Sequence, residues 1–378
     1  MPRNRVESIG PDGAAAHDGA WRDLSGRALE PNVFAEPAFV VSALRHFAGV
    51  ARLRLLLVWQ GESADRLIGA IVIEWPRVRF RLSVARVWRS EQAGLAAFAL
   101  DREAAGEALD AVMDWFAREQ PGIVGLMIPT LDAAGPTALA VEALRLRRNL
   151  VCRELSRHNR AILLAATSPA PVFDASLPKK RLKEWNRLLR RLGERGEAVF
   201  RAADDAAAIE AFLALEAKGW KGAQHTALGL DPGLAAFSRA MLAGMARDGK
   251  LAIHLLELDG AAVAAGVTLR SGDRVFYWKT AYDESYAEYS PGVQVTLELS
   301  RAQQRDATIA MTDSCAIEGH PMIDRLWPAR VALVDQVVAT RPGSAVGVAL
   351  WLVAERAKRR LREAAKRLVN PLRGRKRS

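Results

Sequence analysis

Residues 273–300 read DRVFYWKTAYDESYAEYSPGVQVTLELS. Val275 to Tyr282 has the β-branched and aromatic composition of a strand. Asp283, Glu284 and Ser285 interrupt it, and from Ser290 an apolar pattern at helical spacing begins. Ser290 is expected as the N-cap, Pro291 as the first helical residue and Gly292 as a position of close approach. A helix starting there presents its free N–H groups and the positive end of its dipole to whatever lies at the end of the strand, a place that suits a pyrophosphate.

Working outward, KLAIHLLELDG (residues 250–260) and AAVAAGVTLRSG (residues 261–272) are two further strands joined by Asp-Gly-type turns. Two helices are expected upstream, over DDAAAIEAFLALEAKGW, capped by Asp204 or Asp205, and over PGLAAFSRAMLAGMARDG. Strands TIAMTD and VALVDQVVAT follow downstream. From Ala206 to Asp313 the order is helix, helix, three strands, helix, strand. The N-terminal half carries an echo of it: LRLLLVWQGESADRLIGAIVIE (residues 53–74) and LAIHLLELDGAAVAAGVTLRS (residues 251–271) both read strand, glycine turn, strand, with Gly69-Ala70 and Gly266-Val267 early in the second strand. Helical pieces broken at Pro31 and Pro37 precede the first copy. After it come a strand near Arg77 to Val87, the helix EALDAVMDWFARE, the strand GIVGLMIP, a helix around Thr137 to Arg147 and the strand HNRAILLA. A tandem duplication into two related α/β units accounts for the pattern, with SPAP (residues 168–171) as the linker.

Length and composition agree. With 378 residues, half apolar and about a quarter charged, the chain exceeds one ordinary core and is too well mixed for disorder. Cys152 and Cys315 are the only cysteines, too few for a disulfide framework, and no His or carboxylate spacing completes a zinc site, so no metal is expected. The first 20 residues have no apolar segment of signal-peptide length, and the longest apolar run, Ser344 to Ala354, is well below the roughly 18 residues of a membrane span. A cytoplasmic protein is expected. The net charge of +11 is concentrated in two places: Lys179 to Arg195 has eight Lys/Arg and two Glu, and Trp351 to Ser378 has eleven Lys/Arg and two Glu. These are the segments to which an anionic partner would be drawn.

The segments LPKKRLKEWNRLLRRLGERG, LEAKGWKGAQHTAL, FYWKTAYDESYAEYSPGVQVTLEL and TDSCAIEGHPMIDRLW resemble CelD/BcsL-type proteins of the GCN5-related N-acetyltransferase (GNAT) superfamily, relatives of the FemAB-like transferases that carry two such folds in one chain. The resemblance covers about Trp21 to Thr340. It implies an α/β (α+β) architecture of two tandem GNAT-like folds, with mixed central sheets flanked by helices, followed by a basic C-terminal amphipathic helix. The expected divisions are a disordered N-terminus (1–20), a degenerate GNAT-like domain (21–167), a catalytic GNAT-like domain (168–343) and the basic helix and tail (344–378). The function implied is N-acyl transfer from acetyl-CoA or another acyl-CoA to an amine of an amino sugar or a cell-envelope or polysaccharide precursor. An aminoacyl-tRNA-dependent transferase and a non-catalytic scaffold are the alternatives.

Acyl transfer to an amine needs a donor to the thioester oxygen, a route for the ammonium proton and an acid for the leaving thiolate. Backbone N–H groups of a splayed strand serve as the first. His320, with Asp313, Ser314 and Asp324 nearby in sequence, or Asp283 is expected as the base, and Tyr282 or Tyr286 as the acid; a nucleophilic Cys315 is the least favoured route. Lys279, Thr280, Ser290, Gly292, Val293 and Gln294 are expected around the cofactor, although Tyr289 and Gln294 replace the residues that single-domain relatives have at those positions of the loop and Pro291 removes one donor. Glu216, Lys218, Trp220, Lys221, Asp313 and Ser314 are expected on the acceptor side, where a tryptophan flanked by lysines can stack on a sugar or hold an anion. An alternative role for each is ordinary turn, cap or core packing.

In the tail, Leu350, Val353, Ala354, Ala357, Leu361, Ala364 and Leu368 share one helical face, with Lys and Arg on the other. That face either docks on the protein itself or lies on anionic lipid at the inner face of the membrane through residues 350–378; tracking nucleic acid is the less favoured alternative.

Overall fold

The computed structural model describes residues 4–61, 65–76, 82–165, 172–218 and 227–374. The first half runs β1 (Arg5–Ile9), α1 (Asp18–Gly26), α2 (Pro37–His46), β2 (Leu53–Gln60), β3 (Arg66–Glu74), β4 (Ser83–Val87), β5 (Phe98–Leu100), α3 (Ala105–Glu119), β6 (Ile123–Asp132), α4 (Pro136–Arg147) and β7 (Cys152–Leu164). The second runs α5 (Val172–Ser176), α6 (Lys179–Gly193), β8 (Ala198–Ala203), α7 (Ala206–Lys218), α8 (Pro232–Arg247), β9 (Leu251–Leu258), β10 (Ala261–Ser271), β11 (Arg274–Tyr282), α9 (Pro291–Arg305), β12 (Met311–Asp313), α10 (Ile323–Leu326), β13 (Ala329–Ala339) and α11 (Ala345–Gly374).

All strands join one mixed sheet in the order β1-β2-β3-β4-β6-β13-β7-β12-β11-β10-β9-β8, with β5 paired to β3. Exchange β1 for β8, β2 for β9, β3 for β10, β4 for β11, β6 for β12 and β7 for β13, and the order reads the same from either end. The duplication suggested by the two glycine hairpins is thus present in the topology. Each unit has one parallel pair, β4 with β6 and β11 with β12, and each pair requires a crossover, supplied by α3 and α9. Gly69 and Gly266 let those helices approach: a Cβ on Gly69 would lie 3.4 Å from Ala108 of α3 and 3.1 Å from Val58, and one on Gly266 would lie 2.9 Å from Val295 of α9.

The last strand of each unit is exchanged. β7 pairs antiparallel with β12, and β13 pairs antiparallel with β6, while β7 and β13 pair with each other at the centre. One core runs across both units on one face of the sheet, where Trp21, Phe34 and Phe39 cluster with Phe212, Phe237 and Phe276. On the other face each unit has its own core under α3 and α9 respectively. Buried Glu36 ties the units together, pairing with Lys250 and accepting a hydrogen bond from Ser271 Oγ at 2.6 Å. A division of the chain at residue 168 therefore does not divide the packing.

Residues 1–20, expected to be disordered, contain β1, paired to β2 along its whole length, and a 3₁₀ turn over Pro11–His17. Polar Glu7 and Ser8 are accommodated because β1 is an edge strand in which no residue is buried. The linker residues 168–171 and the first part of the strand expected over 77–87 lie outside the described residues, and Ser83–Val87 is strand.

Candidate active site

After Phe276 the second parallel pair separates. Register pairs run from Arg274–Met311 to Phe276–Asp313, whereas β11 continues against β10 as far as Tyr282. Beyond Phe276, alternate backbone N–H and C=O groups of β11 turn towards the space that opens. That space is a cleft of about 750 Å³, walled by β11 from Tyr277 onward, the first turn of α9, the loop 314–323 and Leu215 and Glu216 of α7.

The first turn of α9 carries no acidic residue. Ser290 does not cap it in the way expected: its backbone is left-handed (φ +52°) and its hydroxyl makes no capping bond. Instead the Ser290 carbonyl accepts from Val293 N (2.9 Å) and Gln294 N (3.1 Å). Pro291 has no N–H, so the Gly292 N–H and the Ser290 hydroxyl are the polar groups this turn presents to the cleft. A side chain at Gly292 would meet the Tyr282 ring at 3.3 Å. Outside the turn, α6 packs across its start: Trp185 O accepts from Gln294 Nε2 at 2.8 Å, and Arg191 and Arg195 lie over the rings of Tyr289 and Tyr286. The basic run Lys179 to Arg195 thus gives the helix start an electropositive setting.

Ser290, Gly292, Val293, Lys279, Thr280 and Tyr282 all line the cleft. Gln294 does not; it is buried behind the turn. Thr280 Oγ1 is committed to Ala265 O (3.1 Å). Lys279 Nζ lies 5.6 Å from the Trp278 ring centroid. The helix start fits an anionic group, with one open backbone N–H and an uncapped hydroxyl, while Lys279 sits with Trp278 and close to Cys315.

His320 also faces the cleft, but its partners are not those expected. Nδ1 accepts from Met322 N (3.4 Å) and Ile323 N (3.3 Å), capping the short helix α10, while Asp324 pairs with Arg330 at 3.5 Å. Burial lowers the imidazole pKa, with Asp324 opposing, so the ring is neutral near pH 7. A neutral ring whose Nδ1 accepts carries its proton on Nε2, so His320 has an N–H to offer and its Nδ1 is engaged with backbone. Asp283 is engaged elsewhere. It is absent from the cleft wall, and its carboxylate accepts from Ser285 N (3.0 Å) and Ser285 Oγ (2.7 Å), bonds that hold its pKa down and make it a weak base.

On the acceptor side, Glu216 and Ser314 line the cleft, and Glu216 Oε2 accepts from Leu228 N at 2.9 Å. Asp313 is not free to meet a substrate: it is buried, pairs with Arg160 of β7 at 3.3 Å and accepts from Cys315 N at 2.7 Å. Lys218 ends α7 close enough to favour the charged form of Asp283, whereas Trp220, Lys221 and His225 lie outside the described residues. Sequence reasoning missed Arg160, which also donates to Gly94 O at 3.0 Å and so fixes the cleft wall from the other unit. Cys315 lines the cleft, and burial raises its thiol pKa well above the ordinary range, which disfavours the thiolate.

Residues 179–313 match the acetyltransferase (GNAT) domain family. The match covers the second unit from α6 to the end of β12, the stretch that builds the cleft except for the loop 314–323. Among curated proteins no sequence relative is found. In fold the chain is similar to the crystal structure of FemX (9% identity, TM-score 0.54, covering 88% of this chain and 96% of that one). It is also similar to a conserved protein of unknown function from Bacteroides thetaiotaomicron (11%, TM-score 0.53, 90% and 99%). A third is the C-terminal DUF2156 domain of a protein described as a lysylphosphatidylglycerol synthetase from Agrobacterium fabrum (13%, TM-score 0.50, 90% and 96%). With the family match on the second unit, the symmetry of the sheet makes the architecture two tandem GNAT-like folds.

Proposed function

We propose that the second unit transfers an acyl group from an acyl-CoA to an amine of an amino sugar or envelope precursor, as the likeness of its sequence to CelD/BcsL-type proteins suggests. The observation that carries the reading is the parting of β11 and β12 after Phe276, with an acid-free helix start at one end of the cleft so formed. Ser290 and Gly292 would hold the diphosphate, and a bound thioester would supply an activated acyl carbon. The protein's own part is positional and electrostatic. Backbone N–H groups of β11 beyond Phe276 would meet the developing carbonyl charge, Nε2–H of His320 would donate into the same space, and Tyr282 packs at the helix start.

Thermal melting and calorimetric titration with acetyl-CoA, CoA and a long-chain acyl-CoA test this, since a ligand bound only by the folded state raises the melting temperature by mass action. Saturable binding by at least one is expected. The spare donor set of the SPGVQ turn favours a second reading, transfer from an aminoacyl-tRNA, and a shift with aminoacyl-tRNA but with none of the CoA compounds would replace the first reading by the second.

A further inference from the structure

The helix α11 docks on the first unit through the face opposite its apolar stripe. Val348 and Leu352 are buried against β4, β6 and β13, and Gly347 sits so low that a Cβ there would lie 3.1 Å from Val124 and 3.2 Å from Leu82. Arg359 continues the same face, donating to Ser156 Oγ (2.9 Å) and pairing with Asp335 (3.1 Å). Arg356 Nη2 donates to Glu154 O at 3.0 Å. The docking is thus complete without the stripe. Val346, Leu350, Val353 and Leu361, spaced by four, three and eight residues, are 70%, 56%, 68% and 71% exposed, and Leu82 beside them is 50% exposed. Arg360 and Arg362 are exposed and have no ion-pair partner among the described residues. In the sequence the pattern continues through Ala364 and Leu368, with Lys366 and Arg367 between them.

We infer that this outer face of α11 is a surface for anionic lipid, holding the protein on a membrane by partial insertion of the stripe between basic side chains. Both requirements of interfacial binding are present: apolar area open to insertion and positive charge to draw headgroups. A second copy of the chain is the poorer occupant. The segment from Trp351 to Ser378 carries eleven Lys/Arg against two Glu, so two such helices side by side repel. RNA would use the charge and leave four large side chains in water. No helix among the described residues is long and apolar enough to cross a membrane, so contact by this face is peripheral.

The full-length protein should sediment with vesicles of phosphatidylcholine mixed with phosphatidylglycerol at low salt, release at high salt and ignore pure phosphatidylcholine. Each basic residue near an anionic surface contributes roughly fivefold to binding. The variant Arg360→Glu/Arg362→Glu should therefore lose roughly twentyfold or more. Leu350→Glu/Val353→Glu should lose about tenfold or more by removing inserted apolar area. Both variants alter exposed side chains, so their melting temperatures should match the wild type, which separates lost binding from lost folding. Equal binding to neutral vesicles, or unchanged binding by the two variants, would overturn the inference. So would a concentration-dependent dimer on light scattering that Leu350→Glu/Val353→Glu dissolves, or a shift with RNA in a protein that ignores anionic vesicles.

Discussion

Where β11 and β12 part, the second unit leaves about 750 Å³; beside the C-terminal end of β6 the first leaves about 20 Å³, lined by Leu95, Phe98, Ile128 and Glu30. The same plan has been filled in one half. The loop after β4 folds back over Trp88 to Ala97, β5 adds a strand against β3, and Asn32 Nδ2 donates to Ala96 O at 2.8 Å. The helix starts differ in charge as well. Ahead of α3 stand Asp101 and Glu103, with Glu107 in its first turn; Asp101 is buried between Arg27 (2.7 Å) and Arg66 (2.9 Å). The basic groups there are already taken up by these acids, Arg66 pairing with Glu103 as well, whereas α9 begins without an acid. The difference shows that a duplicated fold can keep its cleft in one copy and fill it in the other. The closed unit has become a wall, and through Arg160 and Gly94 it supports the open one.

The largest expected effect removes a donor from the open unit. His320→Ala should lower turnover by about a hundred- to a thousandfold, the scale of one lost preorganised donor. His320→Gln, which still presents an N–H, should retain much of the rate. Steady-state kinetics with an accepted amine read this, and a loss of rate that follows the pKa of His320 on acidification would return it to the role of base.

A second test contrasts the positions facing the two glycines. Val58 stands opposite Gly69, and His254 stands opposite Gly266. Burial lowers the His254 pKa to about 4. Between pH 6.5 and 4 the unfolded chain takes up a proton that the folded chain refuses, so stability falls as pH falls through that window, by about 3 kcal/mol in all. His254→Val, which copies the first unit, should flatten the melting temperature across that range. A profile unchanged by the substitution would assign the acid sensitivity elsewhere.

Gly266→Ala and Gly69→Ala test whether both units rely equally on close helix approach. The Cβ distances predict a loss of about 2 kcal/mol at Gly266, where Val295 and the Tyr277 ring confine the site, and less at Gly69. Equal losses on denaturant titration would mean that the sheet absorbs both. The smallest effect converts the open helix start towards the closed one: Val293→Asp, an acid in the first turn of α9, should weaken acyl-CoA binding by about tenfold on calorimetry. The matching Glu107→Val in the first unit should create no binding, because the space there is filled.

Much of this was legible along the chain. The two hairpins with glycine in their second strands, the strand before Ser290 and the helix after it were local patterns, and Asp205 caps α7 as expected, accepting from Ala208 N at 2.8 Å. Ser290 failed as a side-chain cap because Pro291 follows a left-handed residue, a conformation the letters Ser-Pro-Gly do not specify. His320 and Asp324 are four residues apart yet face different partners, since backbone N–H groups of α10 reach the imidazole first. The Arg160 and Asp313 pair joins residues 153 positions apart, and nothing in the sequence of β7 or β13 says which unit's edge it will pair with. Hydrophobic alternation records which face of a strand is buried and is silent on its neighbour.

The exchanged strands also order events during synthesis. β6 is complete at Asp132, but the strand that pairs with it, β13, starts at Ala329, about 200 residues later. At ribosomal speed the nascent first unit holds an open sheet edge for roughly 10–40 s, during which it can pair with a neighbouring chain on the same messenger. Truncated products that stop short of β13 should be insoluble, and cells that make this protein have reason to keep the emerging edge covered by a chaperone until translation is nearly done.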